Sequence, residues 1–235
     1  MTILTSELDS NSEQFRNNQQ AMLAALEEFR AVEEKVRAKE QEAQEKFHKR
    51  GKLLPRERLS LLLDAGSEFI ELGSLVGHKM HDDKDGSGAG GGIIAGIGRV
   101  AGIRCLIVLN NSAIKGGTIS PGGLDKILRI QEIARENKLP VVTLAESGGA
   151  NLNYATDVFI PGAKAFANQA RMSAAGIPQV TVVHGNATAG GIAPIKRPVH
   201  FQGIDRSVLG TKIYFSAVIN DRRTVYLAAG FIVPQ

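Results

Sequence analysis

The chain has 235 residues, of which 43% are hydrophobic and 22% charged, so the composition predicts a buried core and argues against a disordered polymer. The net charge of +4 lies wholly in residues 192–235, where six lysines and arginines meet two aspartates. The neutral remainder does not indicate nucleic-acid binding, and the longest apolar runs have only the length of strands, which argues against a membrane span.

The one cysteine, Cys105, lies within the strand-like run "IRCLIVLN", which predicts a buried thiol. Without a second cysteine no disulfide forms within the chain, and the composition fits a cytoplasmic protein. No CxxC pair occurs and the histidines lack metal-ligand spacing on a common element, so we expect no metal site.

The N-terminal part of the chain predicts helices and loops. Residues 12–50 carry apolar side chains at spacings of three and four, typical of one or two amphipathic helices, for which docking and a coiled coil are the two roles that the pattern allows. Pro55 favours the start of another helix with Leu59, Leu62 and Leu63 on its packed side, and "EFIEL" predicts a short strand. The segment 78–92, "HKMHDDKDGSGAGGG", predicts a polar loop with a flexible glycine run.

From residue 92 the order of elements is strand, strand, helix, strand, helix, strand. The first two strands flank Ala101-Gly102 as in a hairpin, and the strand–helix–strand units predict an α/β protein with a largely parallel sheet. Two glycine turns, at 147–150 and 189–191, follow successive strands at their carboxyl ends. Ligands bind at that edge in open α/β sheets.

Two familiar kinds of site are disfavoured by context. "GSGAGGG" matches GxGxxG, but a dinucleotide fingerprint must follow a strand and open a helix, and this stretch lies in a polar loop. A nucleophilic pair of Ser147 with His184 lacks any orienting partner that the sequence identifies. A hydrogen-bonded structural histidine is the simpler interpretation of His184.

The stretch "AESGGA" (145–150) suggests a different chemistry. Free N–H groups at the start of a helix point outward, and glycine lets a thioester oxygen approach them. Such donors stabilise charge that develops in a transition state. The alternative is that both glycine turns need glycine for backbone geometry alone, although two such turns in succession favour a functional role.

Several stretches resemble one known family: "RGKLLPRERLSLLLDAGSEFIELGSL", "GGGIIAGIGRVAG", "NSAIKGGTISPGGLDKILRIQEIA", "AESGGANL", "NQARMSAAGIPQVTVV" and "GNATAGG". The chain resembles the carboxyltransferase (beta) subunit of biotin-dependent acyl-CoA carboxylases, in the methylcrotonyl-CoA and geranyl-CoA carboxylase branch. The resemblance covers about residues 10–191. "HKMHDDKDGS" together with "SGGANLNYATD" is more similar to the geranyl-CoA type.

The resemblance implies a crotonase-like (spiral ββα) fold, incomplete in this chain, with an N-terminal helical extension. It also implies three groups of site residues. The oxyanion-hole position is that of Gly190 and Gly191. The thioester path is lined by Ser147, Gly148, Gly149 and Ala150, of which Gly148 and Gly149 are implied to be catalytic. The stretch that contacts CoA comprises Lys115, Gly116 and Gly117.

The family reaction moves a carboxyl group from carboxybiotin, carried on a partner alpha subunit, to an acyl-CoA. As the resemblance implies, carboxybiotin loses CO2, its ureido nitrogen takes the substrate proton, and the enolate attacks CO2. The cofactor then supplies the base and the protein supplies fixed amides. The implied partners are the biotin-carrying alpha subunit and other beta subunits, with no nucleic acid and no membrane.

Three segments are predicted: helical residues 1–50, a truncated carboxyltransferase domain at 51–191, and an atypical basic tail at 192–235. The tail departs from the family pattern, which continues with an "SDYV"-like segment and a second crotonase-like domain. Family active sites form between the N-terminal half of one subunit and the C-terminal half of another. We therefore expect a fragment that is inactive alone.

Two other functions stay open. A stand-alone crotonase-like hydratase or hydrolase would need an acidic or histidine base, for which Glu146, Asp157 and His184 are the candidates. A non-catalytic chain would instead associate with full-length subunits through the 12–50 helices and exposed apolar faces.

Overall fold

The computed structural model describes residues 6, 8–187, 214–220 and 224–230, and the predicted turn at 189–191 lies outside these ranges. The helices are α1 (Glu13–Gln41), α2 (Gln44–His48), α3 (Pro55–Leu62), α4 (Pro121–Glu136) and α5 (Ala155–Ala174). The strands are β1 (Ile70–Glu71), β2 (Ile93–Val100), β3 (Ile103–Asn110), β4 (Val141–Ser147), β5 (Gln179–Ala187), β6 (Tyr214–Asn220) and β7 (Thr224–Gly230).

The N-terminal segment forms two helices, α1 and α2. Ser12 caps α1, because its Oγ accepts a hydrogen bond from the N–H of Phe15 at 3.1 Å. Residues 16–31 are exposed throughout, and burial begins only near the end of the helix, at Val36 and Glu40. No helix in the described ranges is both long and apolar enough to cross a bilayer.

The main sheet has five strands in the order β1-β2-β3-β4-β5. The expectation of a largely parallel sheet is wrong for its first half, because β1–β2 and β2–β3 pair antiparallel, whereas β3–β4 and β4–β5 are parallel. Ala101 and Gly102 both have positive φ, which suits the two-residue hairpin between β2 and β3. The parallel pairs occur where α4 and α5 cross over, as predicted.

Helices cover both faces of this sheet. On one face, α3 packs through Leu59 against alternate residues of β3, namely Cys105, Ile107 and Leu109. The thiol of Cys105 is buried, as predicted. On the other face, side chains of α4 and α5 pack over Leu106. This layering places the carboxyl ends of β3 and β4 side by side at one edge of the sheet.

Strands β6 and β7 pair antiparallel in a separate two-stranded sheet, with Tyr214 opposite Gly230. They lie within the predicted tail at 192–235. The three predicted segment boundaries stay predictions.

Candidate functional site

Two loops meet where β3 and β4 end. The loop after β3 and the loop after β4 form a parallel bridge between Ile119 and Ala150. The N–H of Ile119 donates to the carbonyl of Gly149 at 2.8 Å, and the N–H of Asn151 donates to the carbonyl of Ile119 at 2.9 Å. We call the paired segments 116–119 and 147–151 the loop interlock.

The glycine amides of the turn after β4 are used within this interlock. The N–H of Gly148 donates to the carbonyl of Gly116 at 3.0 Å, and the N–H of Gly149 donates to Ser147 Oγ, also at 3.0 Å. The expectation that these two N–H groups are free for a thioester oxygen is therefore wrong in this arrangement. The Gly148 amide joins the two loops, whereas the Gly149 amide bonds within its own loop, and both N–H groups have a partner inside the protein.

Ser147 supports the same interlock from inside. Its side chain is 1% exposed, and its Oγ donates to the carbonyl of Gly117 at 2.9 Å while accepting from Gly149. A hydroxyl with this burial and these partners does not face a ligand. No hydrogen bond joins Ser147 to His184 among the residues that the structure describes, so the pairing considered from sequence is absent there.

The Lys115–Gly117 stretch is a short 3-10 turn with three successive positive φ angles of 47°, 64° and 69°. Position 117 requires glycine for two reasons: its φ is positive, and there is no space for a side chain. A Cβ there would lie 2.5 Å from the carbonyl oxygen of Glu146. Lys115 points outward and forms an ion pair with Asp82, with 2.8 Å between Nζ and Oδ2. The predicted CoA-contacting stretch thus packs directly on the end of β4.

A buried charged cluster lies beneath the interlock. The pairing of β4 with β5 shifts register between Ala145 and Ser147, and Glu146 lies at this irregularity. Its carboxylate accepts from Lys52 Nζ at 2.5 Å and from Ser112 Oγ at 2.9 Å. Nδ1 of His184 lies 3.8 Å from the second oxygen, Oε2.

This cluster holds Glu146 ionised and His184 neutral. Burial opposes the charged form of Glu146, but the hydrogen bonds from Lys52 and Ser112 together with the positive charge of Lys52 outweigh it, so the pKa of Glu146 lies below its ordinary value. Burial lowers the pKa of His184 to about 4, and the Arg58 guanidinium acts in the same direction. Neither group has the open, poised character of a general base.

The structure brings together some predicted residues and separates others. Glu146 and His184 are neighbours, whereas Asp157 is exposed in the first turn of α5. Ala150 is half-buried at the bridge to Ile119. Gly190 and Gly191 lie outside the described residues.

Sequence reasoning missed Lys52 and Asp82. Lys52 lies 94 residues from Glu146 in the chain, and nothing in the sequence around it distinguishes it from the other lysines. Asp82 belongs to the predicted polar loop, and that loop borders a cleft with about 480 Å³ of empty space, open solvent included. The cleft lies between loop residues 77–92 and the site residues Ile114, Lys115, Thr118, Ser120 and Asn151.

The described part of the chain contains no group of three or more His, Cys, Asp or Glu side chains that could hold a metal ion.

Comparisons with known proteins identify relatives of this fold. The carboxyl transferase domain family matches residues 46–195. A probable mitochondrial methylcrotonoyl-CoA carboxylase beta chain of Drosophila melanogaster is 45% identical over 193 residues, which cover 80% of this chain and 33% of that one. These matches confirm the resemblance to the predicted family.

Solved structures give the same result. The beta subunit of geranyl-CoA carboxylase from P. aeruginosa is 66% identical with a TM-score of 0.73, over 80% of this chain and 35% of that one. A transcarboxylase 12S structure with hydrolysed methylmalonyl-coenzyme A bound is 25% identical with a TM-score of 0.64, over 72% of this chain and 34% of that one. The crotonase-like fold is confirmed, and the chain spans about a third of the length of these relatives.

The ion pair of Lys52 with Glu146 yields a pH-dependent prediction. Lys52→Met should lower the free energy of unfolding at pH 7 by about 1–3 kcal/mol, because the buried carboxylate of Glu146 loses a charged hydrogen-bond donor. The wild-type pair contributes stability above the ordinary carboxyl pKa of 4.5 and loses it as the pH falls through the lowered folded pKa. The difference between the variant and the wild type should therefore shrink below about pH 4.5, as urea unfolding across pH would measure.

Lys49→Met is the matched control, since Lys49 pairs with Glu45 at 2.6 Å but both side chains are at least 74% exposed. It should leave stability unchanged. Equal losses in the two variants, or a Lys52→Met loss that does not vary with pH, would contradict the assignment of Glu146 as a buried charged group.

Proposed function

Because this chain belongs to the carboxyl transferase domain family, we propose that it is the carboxyltransferase component of a biotin-dependent acyl-CoA carboxylase. The observation that carries the proposal is the 66% identity to a geranyl-CoA carboxylase beta subunit over 80% of this chain. The proposed acceptor is accordingly a branched, unsaturated acyl-CoA of the geranyl-CoA or methylcrotonyl-CoA kind.

In this proposal the loop interlock forms a rigid wall for the acyl-CoA. Gly148, Gly149 and Ala150 keep that wall free of large side chains, so that a thioester can lie along the backbone. Lys115 is half-exposed beside the cleft, which supports its role as a partner for a CoA phosphate. The amides that stabilise the thioester oxygen are then those of Gly190 and Gly191, as the family resemblance implies.

Carboxybiotin on a partner alpha subunit would supply both the carboxyl group and the base for the substrate proton. Association with the alpha subunit and with other beta subunits, and a cytoplasmic location, belong to the same proposal. The exposed apolar side chains of α1 provide a surface for such contacts: Met22, Leu23, Leu26 and Phe29.

The structure lends no support to a stand-alone hydratase. The carboxylate of Glu146 is 6% exposed and bonded to Lys52 and Ser112, so it cannot take a proton from a bound substrate without breaking that cluster. His184 is buried as well. A non-catalytic role through the α1 surface remains compatible with the fold, because residues 16–31 are exposed.

Gly117→Ala tests the proposed CoA site. The added Cβ would displace the 115–117 turn from Glu146, and alanine is disfavoured at a φ of +69°. We expect CoA affinity to fall about tenfold, the equivalent of roughly 1.4 kcal/mol, in calorimetric titrations of folded protein.

Gly102→Ala is the control, because its φ of +77° imposes the same backbone strain while a Cβ there would meet no atom within 4 Å. It should bind CoA as the wild type does. Equal CoA affinities of the two variants would remove the 115–117 turn from the proposed site.

Transfer of labelled bicarbonate measures the proposed activity. The 235-residue chain, with an alpha subunit, ATP and geranyl-CoA or methylcrotonyl-CoA, should bind the acyl-CoA with little carboxylation, because family sites draw a further pair of oxyanion donors from a second half. Robust carboxylation would show that the second half is dispensable. Hydration of an enoyl-CoA by the chain alone would favour the hydratase instead.

A further inference from the structure

The polar loop before β2 borders the cleft and contacts residues on the opposite side of it. The ring of His81 contacts the ring of Tyr154 edge-on, with 4.9 Å between centroids. Asp82 pairs with Lys115 at 2.8 Å, and Lys115 Nζ also donates to the carbonyl of Asp82 at 3.3 Å. We call residues 78–83 the strap, since both contacts cross from this loop to the loops after β3 and β4.

The strap is shaped by hydrogen bonds within the predicted polar loop. Asp83 is 8% exposed, and its carboxylate accepts from the N–H groups of Lys79 at 3.0 Å and Gly88 at 2.8 Å. Lys79 and His81 both adopt a φ of 54°, a region that few residues other than glycine occupy. The strap therefore presents Asp82 to Lys115 from a defined backbone.

We propose that Asp82 is a specificity-determining residue that holds Lys115 in a displaceable ion pair, so that an anionic ligand of the cleft must compete with it for the ammonium group. This inference rests on the proposed function, in which the anion is a phosphate of CoA. The side chains of Lys115 and Asp82 are 51% and 40% exposed, and ion pairs of that exposure are weak enough for a phosphate to displace. A ligand without negative charge would form no ion pair with Lys115, so breaking the Lys115–Asp82 pair would not strengthen its binding.

The test measures binding of two probes, CoA and inorganic pyrophosphate, by NMR titration of the whole chain. Asp82→Asn should bind both probes about two- to fivefold more tightly, the range that a weak exposed ion pair allows. Asp85→Asn is the matched control on the same loop, because the Asp85 carboxylate accepts from Ser87, and it should leave both affinities unchanged.

A second variant separates the ion pair from a general loss of negative charge. In a Lys115→Gln background, Asp82→Asn should change neither affinity, because there is no ammonium left to release. No gain in the single variant, or a gain that persists in this background, would overturn the proposal. A gain for pyrophosphate, with no CoA binding by any variant, would uphold the ion-pair competition and refute the proposed acyl-CoA function.

Discussion

The hydrogen bonds that join the two loops at the ends of β3 and β4 fix the positions of the candidate residues in segments 116–119 and 147–151. The carbonyls of Gly116, Ile119 and Gly149 accept from N–H groups across the interlock, and Ser147 Oγ adds a bond to Gly117. A typical hydrogen bond of this kind contributes about 0.5–1.5 kcal/mol, but a buried amide left without a partner would cost about 1–3 kcal/mol. The larger cost applies to the buried Gly149 amide, whereas Gly116 and Gly148 are exposed and their mutual bond contributes only the smaller amount.

This arrangement changes the chemistry that the glycine turn can perform. A donor already bonded inside the protein cannot also stabilise the negative oxygen of a thioester. In the proposed function the turn after β4 acts as a rigid surface without large side chains, and the charge-stabilising role is assigned to Gly190 and Gly191, which stays a prediction. Glu146 supports the surface from below, since its carboxylate ties Lys52 and Ser112 to the end of β4.

Local features of the fold were predictable because local sequence determines them. Ala101-Gly102 marked the hairpin, the apolar spacing along residues 124–133 marked α4, and the burial of β3 on both faces follows from its continuous run of apolar residues. The sequence also indicated the apolar face of α1, but it did not predict that this face stays exposed along residues 16–31. That outcome depends on which surfaces lie near the helix, and no spacing along residues 12–50 carries this information.

The candidate site was predictable only as a location. The carboxyl ends of the strands and the glycine turn indicated the edge of the sheet at which the two loops meet, yet the hydrogen bond of the Gly148 N–H depends on Gly116, 32 residues earlier in the chain. Likewise the burial and ionisation of Glu146 depend on Lys52, which belongs to the segment between α2 and α3. Such pairings arise from tertiary packing, which residue type and spacing along one segment do not encode.

Amide hydrogen exchange at Gly148 and Gly149, followed by NMR with and without CoA, tests the loop interlock most directly. The account predicts that both amides exchange slowly in the free protein and that CoA leaves their protection unchanged. Exchange at the rate of an unstructured peptide, with protection gained only when CoA is added, would show that these amides are free donors to the ligand and would contradict the interlock.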